Sequence, residues 1–217
     1  MPLSLDPART ERTRQSLAAA GIDKRWHLGL SVGWLWPDAE RDNDFGFGDG
    51  NIDGGLSYAI SANRAVSEKW NTEFRLFGAE LEINNSTNGG EFDFYGAVAS
   101  AQYFINRNPR FAPFIEAGLG AMRSEVSGKT STNPIFEAGL GFVSQLNDNG
   151  LSLRVGARAR LDTYDISDNT RGTTEFVDWE TYAGLLIPLG ARTVVSTPVP
   201  VVTAAPTTVI VSQDDDN

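Results

Sequence analysis

Bulky apolar residues recur at every second position along most of this chain. The first run places on one parity Trp26, Leu28, Leu30, Val32, Trp34 and Trp36. The opposite parity carries the smaller or polar residues His27, Gly29, Ser31 and Gly33. Because successive side chains of a β-strand point to opposite faces, this spacing predicts a strand with one apolar face.

Seven further runs repeat the alternation, which gives eight predicted strands within residues 25–190. Their apolar parity holds Ile52, Leu56, Tyr58 and Ile60; Trp70, Phe74 and Leu76; Tyr95, Ala97, Ala99, Ala101 and Tyr103; Ile115, Ala117, Leu119 and Ala121; Phe136, Ala138, Leu140 and Phe142; Leu151, Leu153, Val155, Ala157, Ala159 and Leu161; and Trp179, Ala183, Leu185, Ile187 and Leu189. In the third run the parity changes near Gly78. We therefore predict a β-bulge there, which would return Leu81 and Ile83 to the apolar face.

The apolar parity must face either a soluble core or lipid. A membrane-spanning helix needs about 20 consecutive apolar residues. The nearest candidate, residues 194–211, contains Pro198, Pro200 and Pro206 and cannot be such a helix. A closed barrel is the other structure that satisfies every backbone group in lipid, and an even number of strands closes one.

The sizes of the residues on the two faces favour a membrane barrel over a soluble, lipocalin-like one. The second face is mostly Gly, Ala and Ser with a few charges, which is typical of a cramped interior. The tryptophans lie near predicted strand ends, as in aromatic girdles: Trp26, Trp34, Trp36, Trp70 and Trp179. The predicted fold is therefore all-β, an eight-stranded antiparallel up-and-down transmembrane β-barrel.

The predicted connections alternate between long and short. The long ones cover residues 37–50, 84–91, 127–133 and 167–175, and the short ones cover residues 65–69, 106–110 and 147–150. Outer-membrane barrels have long extracellular loops and short periplasmic turns. With eight strands, both chain ends are then periplasmic.

Composition excludes several classes of function. The net charge is −10, with 28 acidic and 18 basic residues and no visible basic patch, so we expect no nucleic-acid partner. The chain has no cysteine, which excludes disulfides, thiolate metal sites and a cysteine nucleophile. The lysines, Lys24, Lys69 and Lys129, fall outside predicted strands, whereas a soluble β protein places lysine on exposed strand faces.

Charges of both signs lie on the inward parity. They are the acidic Asp53, Glu73, Glu116, Glu137, Asp178 and Glu180, and the basic Arg75, Arg154, Arg158 and Arg160. An eight-stranded barrel is only wide enough for side chains to fill it, and an isolated buried charge costs several kcal/mol. We therefore predict a lumen charge network, a polar plug that fixes the register of the barrel.

Residues 25–190 resemble the N-terminal barrel of the OmpA-type outer-membrane protein family. The resemblance is carried by the order of the eight strands and by four segments, namely residues 26–29 (WHLG), 103–110 (YFINRNPR), 134–141 (PIFEAGLG) and 187–190 (IPLG). It implies a bacterial outer-membrane location, lipid and lipopolysaccharide contacts and a monomeric barrel. It also implies a signal for the barrel-assembly machinery in the last strand: Tyr182, Gly184, Ile187 and Leu189.

The same resemblance implies a second reading of the lumen charges. In this reading, arginine and carboxylate partners exchange and open a narrow, low-conductance ion path, as in a gated porin. We favour the plug, and the two readings are compatible if opening is rare.

Both flanks of the barrel differ from it in composition. Residues 1–24 lack the apolar region of a secretory signal, and we expect a disordered or short helical extension. Residues 191–212 are rich in Pro, Val and Thr and predict a periplasmic linker. Residues 213–217 resemble the start of a calcium-binding repeat, with Asp214, Asp215 and Asp216 as incomplete metal candidates. We expect peptidoglycan binding only through a domain that this sequence does not include.

Two alternative functions remain open. Some eight-stranded barrels modify lipid A with a His and a Ser or Asp at the outer face, but here His27, the single histidine, falls at the periplasmic start of the first strand. We therefore predict no enzyme, no catalytic residue and no cofactor. The other alternative is adhesion through the extracellular loops, which carry no motif that names a receptor.

Overall fold

The computed structural model describes residues 23–38, 53–82, 91–126, 129–164 and 174–191. Eight β-strands lie within them: β1 (Trp26–Trp36), β2 (Gly55–Ala65), β3 (Trp70–Glu82), β4 (Glu91–Phe104), β5 (Ala112–Val126), β6 (Lys129–Gln145), β7 (Ser152–Tyr164) and β8 (Thr174–Pro188). The predicted flanking segments, including Asp214, Asp215 and Asp216, lie outside these ranges apart from a few residues beside the barrel.

The strands form a closed antiparallel barrel in which each strand pairs with its neighbour in the chain. The last strand closes the barrel on the first, with Trp36 opposite Trp179 and His27 opposite Pro188. Closure removes the unpaired sheet edges that a bilayer does not tolerate. This confirms the predicted fold class. Within the described ranges, no helix is long and apolar enough to cross a membrane.

The outward face carries an apolar band that is bounded by charged residues. Along β5 the band begins at Phe111, the residue before the strand, and runs past Leu119 to Ala121, and the next outward residue is the exposed Arg123. At about 3.3 Å per residue and a strand tilt of about 40°, this distance covers roughly 25 Å of membrane. On β3 the exposed Glu80 ends the band in the same way. The band is therefore as tall as the hydrocarbon core of an outer membrane.

The two ends of the barrel differ. At the turn end, residues 66–69, 105–111 and 146–151 make short connections, and both ends of the described chain lie there, beside Trp26 and Pro188. Gly150 occupies the last of these turns with a φ of 97°, a conformation that side chains other than glycine rarely adopt. The opposite end is the loop end, where the other connections lie.

Two predictions at the loop end are wrong. The predicted loop 127–133 is mostly strand, because β5 continues to Val126 and β6 begins at Lys129. Backbone pairing there extends past the apolar band, where polar residues replace the alternating pattern. Asp53, predicted on the inward face, is exposed and precedes β2, whose last partner on β1 is Leu35 opposite Gly55.

The predicted bulge near Gly78 is also wrong. β3 stays in register with β4 from Trp70 opposite Tyr103 to Glu82 opposite Glu91. Leu81 is therefore buried in the lumen and does not join the apolar outer face. Ile52 and Ile83, which were also predicted on the apolar face, lie outside the described residues. Gly78 points outward, where a Cβ atom would lie 2.7 Å from the ring of Tyr58. Gly78 is a small residue at an outward position, where the alternation otherwise has a large apolar one, and in the sequence this resembles a change of parity.

An apolar cluster lies in the loop-end half of the lumen, beside the buried polar residues Asp162 and Asp178. This loop-side cluster joins inward residues of five strands: Leu35, Phe77, Ala79, Leu81, Phe94, Val98, Met122 and Ile135. The sequence analysis did not predict it, because these residues share a parity with glycine, serine and charge. Gly96 makes room for the ring of Phe77, since a Cβ atom there would lie 2.6 Å from that ring.

A smaller turn-side cluster lies in the other half of the lumen, on the side of β4, β5 and β6. It consists of Phe104, Ala112 and Phe114, with Val143 packed against it. The guanidinium of Arg107 lies 3.9 Å from the centre of the Phe104 ring, donates to the Glu68 carbonyl (2.8 Å) and donates to Asn71 Oδ1 (2.7 Å). Burial lowers the pKa of Arg107 to about 10, and the residue remains charged at neutral pH.

Residues before β1 attach to the turn end through Arg25. Its guanidinium donates to the carbonyls of Gly190 (2.9 Å) and Asn149 (2.7 Å), and it pairs with Asp23 at 2.6 Å. Burial raises the pKa of Asp23, but its hydrogen bonds with Arg25 outweigh this effect and hold the pKa below the ordinary value. The same bonds raise the pKa of Arg25. The hydrogen bonds of the Arg25 guanidinium thus join the residues before β1 to the residues after β8 and to the turn between β6 and β7.

Candidate functional site in the barrel lumen

Eight of the ten predicted lumen charges form one network between the two apolar clusters. They come from β3, β5, β6, β7 and β8, and each is at most 9% exposed: Glu73, Arg75, Glu116, Glu137, Arg154, Arg158, Arg160 and Glu180. Four are arginines and four are glutamates, so their formal charges balance. Taking such charges out of water is costly unless each is paired and hydrogen-bonded.

Glu137 on β6 is one centre of the network. It pairs with Arg160 on β7, 2.8 Å away, and with Arg75, which reaches it from β3 across the lumen. Arg158 lies 4.0 Å from the same carboxylate. A single glutamate thus connects non-neighbouring strands, so the contact adds cross-lumen restraint to the backbone ladders.

Glu73 on β3 is the second centre. It pairs with Arg154 from β7 and accepts a hydrogen bond from Gln102 Nε2 at 2.7 Å. Arg75 Nε lies 3.8 Å away. The Nη1 atom of Arg154 that pairs with Glu73 also lies 3.3 Å from Asn63 Oδ1, to which it donates.

Arg158 lies between two further carboxylates. Its Nε atom is 3.4 Å from Glu116 Oε1 and 3.8 Å from Glu180 Oε2. Glu180 also pairs with Arg160 at 3.4 Å and accepts a 2.7 Å hydrogen bond from the Ser57 hydroxyl. Charge-assisted bonds of this kind stabilise the ionised form of each carboxylate.

Tyr182 on β8 packs against the arginines on the turn-end side of the network. The guanidinium carbon of Arg158 lies 3.9 Å from the centre of its ring, and its hydroxyl donates to Glu116 Oε1 at 3.3 Å. The ring fits because the facing residue is Gly156, where a Cβ atom would lie 2.6 Å from the Tyr182 hydroxyl. The sequence analysis assigned Tyr182 to the assembly signal and did not predict this contact.

The remaining two predicted lumen residues, Asp53 and Asp178, lie toward the loop end of the barrel. Asp178 is buried at the loop end of β8, where its carboxylate accepts the backbone N–H of Asp38 at 3.1 Å. The Asp38 carboxylate in turn accepts the N–H of Val177 at 2.8 Å. This exchange extends the β1–β8 seam past Pro37, which lacks an N–H donor. Asp53 is exposed, as described above.

Several polar lumen residues were absent from the predicted network. Asn63, Ser57 and Asp162 are all buried on the inward parity, and the first two bond to network members. Their position on the inward parity, the same feature that predicted the lumen charges, could have predicted them too. Of the proposed assembly signal, Gly184 faces inward, whereas Ile187 and Leu189 lie on the outer face at the turn end.

His27 is half-buried at the turn end, in a small polar group. Its Nδ1 atom lies 3.1 Å from the Arg25 carbonyl oxygen, and its Nε2 atom lies 3.7 Å from Asp23. The described residues contain no group of three or more His, Asp or Glu side chains placed to hold a metal ion. The ion pairs of the charge network join β3 to β6 and to β7 across the lumen and so hold these strands in register.

The sequence matches no protein-family model and no curated protein. It is similar to solved structures. The Neisserial surface protein A (NspA) is 18% identical, with 75% of this chain and 96% of NspA covered and a TM-score of 0.56. Ail of Yersinia pestis is 14% identical (76% and 100% covered, TM-score 0.43). The N-terminal barrel of Pseudomonas aeruginosa OprF is 10% identical (76% and 100% covered, TM-score 0.43). The likeness to NspA agrees with the strand order and shows the fold.

Proposed function

We propose that this chain, which has the fold of the eight-stranded outer-membrane β-barrels of the OmpA-like type, is a structural envelope protein with a sealed lumen. One observation carries the proposal. The charge network lies between the loop-side cluster, which draws on five strands, and the smaller turn-side cluster, and ions lose hydration wherever they pass such apolar side chains. A free-flowing porin needs a continuous polar path instead.

The loop-side cluster is the stronger barrier of the two. Leu35, Met122 and Ile135 come from three different strands and have no exposed surface. Phe77 adds a ring that touches the charge network on its other side, since Arg75 and Arg160 lie over it. An interior packed to the density of a protein core does not open by small side-chain motions.

A low-conductance gated pore is the second candidate, and the position of Arg158 favours it. This guanidinium lies within 4.0 Å of Glu116, Glu137 and Glu180. It can therefore change partners without leaving a buried charge unpaired. Such exchange would move the network, but conduction also requires the loop-side cluster to part.

Planar-bilayer recordings distinguish the two candidates. We expect no conductance steps from the wild-type protein, Arg158→Ala, Glu73→Ala or the outward control Leu119→Ala. Steps in the two lumen variants but not in Leu119→Ala would establish gating by the charge network. Frequent steps in the wild type would refute the sealed lumen.

The proposal includes the absence of enzymatic activity. His27 is the one residue of the catalytic type expected for lipid A modification, and it lies at the turn end, among Asp23 and Arg25. Its ring nitrogens are directed to these groups. Purified protein is expected to leave the acyl chains of lipid A unchanged, as measured by mass spectrometry. Activity that disappears in His27→Ala would overturn this part of the proposal.

Location and partners follow from the same proposal. The turn end faces the periplasm with both chain termini, the loop end faces lipopolysaccharide, and β8 carries the signal read by the barrel-assembly machinery. The barrel is a monomer, and peptidoglycan is reached only through a further domain. Adhesion stays a prediction, because residues 39–52, 83–90 and 165–173 lie outside the described part of the chain.

Protease added to intact cells tests the proposed orientation of the barrel. Cleavage of the connections at the loop end supports the orientation, and cleavage of the turns 66–69 or 105–111 contradicts it.

A further inference from the structure

Two cations on the outer surface of the turn end have no acidic partner among the residues that the structure describes. Arg64 points outward from β2, and Lys69 lies in the turn between β2 and β3. Both are exposed, and neither forms a salt bridge with any residue that the structure describes. Arg64 Nε donates to the Lys24 carbonyl at 3.2 Å, which holds the guanidinium in place without neutralising it.

Aromatic rings surround these two cations. We call this group the aromatic–basic rim and define it as Trp26, Arg64, Lys69, Trp70 and Tyr103. The guanidinium of Arg64 lies 5.5 Å from the centre of the Trp26 ring, and Lys69 Nζ lies 3.2 Å from the Tyr103 hydroxyl. The rings of Trp70 and Tyr103 meet edge to face at 5.1 Å.

The strand register makes the rim continuous. Trp26 lies opposite Arg64, and Trp70 lies opposite Tyr103. Arg64 lies opposite Thr72, which makes Trp70 its diagonal neighbour on the outer face, at a distance that long side chains can bridge. The two cations therefore lie on either side of Trp70, along one edge of the apolar band.

The other side of the barrel lacks this chemistry. Its turn-end surface is built by residues 142–153 and 185–191, which contain no lysine or arginine. Phe142 packs there against Phe111 at 5.0 Å, and Leu189 is exposed nearby. Apart from Arg25, which pairs with Asp23, and Arg107 and Arg110 in the turn between β4 and β5, the described cations at this membrane edge thus lie on the β1–β4 side.

We propose that the aromatic–basic rim binds the phosphate of an anionic glycerophospholipid in the leaflet at the turn end. Trp and Tyr are suited to the level of the lipid headgroups. Guanidinium and ammonium groups donate charge-assisted hydrogen bonds to phosphate oxygens. This inference rests on the proposed membrane barrel, because a soluble protein meets no leaflet.

Native mass spectrometry of the detergent-folded protein tests the inference. The protein is titrated with phosphatidylglycerol, with phosphatidylcholine of the same chains and with inorganic phosphate. We expect the wild type to bind phosphatidylglycerol more tightly than phosphatidylcholine. Each cation removed is expected to weaken phosphatidylglycerol binding about fivefold, so Arg64→Gln with Lys69→Gln loses roughly 25-fold.

Matched variants make the outcomes distinct. Arg110→Gln removes an exposed charge from another turn at the same end and is expected to keep the wild-type preference, as is the conservative pair Arg64→Lys with Lys69→Arg. Equal binding of the two lipids, or equal losses in Arg110→Gln, would overturn the inference. Inorganic phosphate that displaces the lipid at similar concentration would identify a free-anion site and also overturn it. Failure to fold in detergent would instead contradict the proposed function.

Discussion

The ring of Phe77 on β3 has its centre 4.2 Å from the guanidinium carbon of Arg160 on β7. Arg75 lies over the same ring at 5.0 Å. A cation–π contact is stronger where water is excluded, as it is here. Phe77 thus joins the charge network to the loop-side cluster, and the lumen has no gap between its charged and apolar layers at this point.

Phe77→Ala is expected to destabilise the barrel by about 3–5 kcal/mol, because it leaves a cavity and removes both cation–π contacts. The measurement is urea unfolding in lipid vesicles. Phe74→Ala is the control, since Phe74 lies on the same strand but faces lipid, which refills the space. Equal losses for the two variants would contradict the sealed, packed lumen.

Glu73→Gln is expected to cost about 3–5 kcal/mol, because Arg154 then keeps a buried charge without its main partner. A double-mutant cycle with Arg154→Met should give a coupling energy of at least about 1 kcal/mol. The cycle of Glu73→Gln with Lys69→Gln is the control, and it should be additive within about 0.5 kcal/mol. A coupling near zero for Glu73 and Arg154 would mean that the pair does not form in the folded barrel.

Gly156→Ala is expected to destabilise the protein by about 1–3 kcal/mol. The added methyl group would lie 2.7 Å from the Tyr182 ring and 2.8 Å from the Leu140 carbonyl oxygen, and the latter is backbone that cannot move easily. Unfolding midpoints in vesicles measure the effect against Ala99→Val, which enlarges an exposed outward side chain. A Gly156→Ala protein as stable as the wild type would show that Tyr182 does not pack over this position.

Much of this architecture was predictable from the sequence because a membrane barrel has two chemically different faces. Large residues such as Leu119 and small ones such as Gly118 alternate on β5, and that contrast identifies the strand and its parity. The same contrast placed Glu73 and Arg154 in the lumen. Their pairing was not predictable, because it joins β3 to β7 across the barrel, and register between distant strands leaves no local signal.

The errors also have physical causes. Gly78 faces lipid but is covered by Tyr58, so a glycine on the outer face suggested a bulge that does not exist. Phe77, Phe94 and Met122 are apolar on the inward parity, and the sequence offers no separate signal for an apolar layer inside a barrel with a polar one. Pattern analysis identifies the two faces of a strand but not what each inward residue contacts.

The Asp23–Arg25 ion pair gives a pH dependence of defined sign. The pKa of Asp23 is lower in the folded protein than its ordinary value of 3.8. Its contribution to stability is therefore present above pH 3.8 and is lost as the pH falls through the lowered folded pKa. The unfolding midpoint of the wild type should exceed that of Asp23→Asn near pH 6, and the difference should disappear in acid. A difference that persists unchanged at low pH would exclude this ion pair as its source.

The central claim is that the apolar face of this barrel meets lipid, and electrophoresis of boiled and unboiled protein tests it most directly. Protein folded into detergent or lipid vesicles should migrate differently before and after boiling, because a closed barrel resists the gel detergent until it is heated. A soluble monomer that folds without detergent, melts in an ordinary transition and shows one mobility would contradict the account.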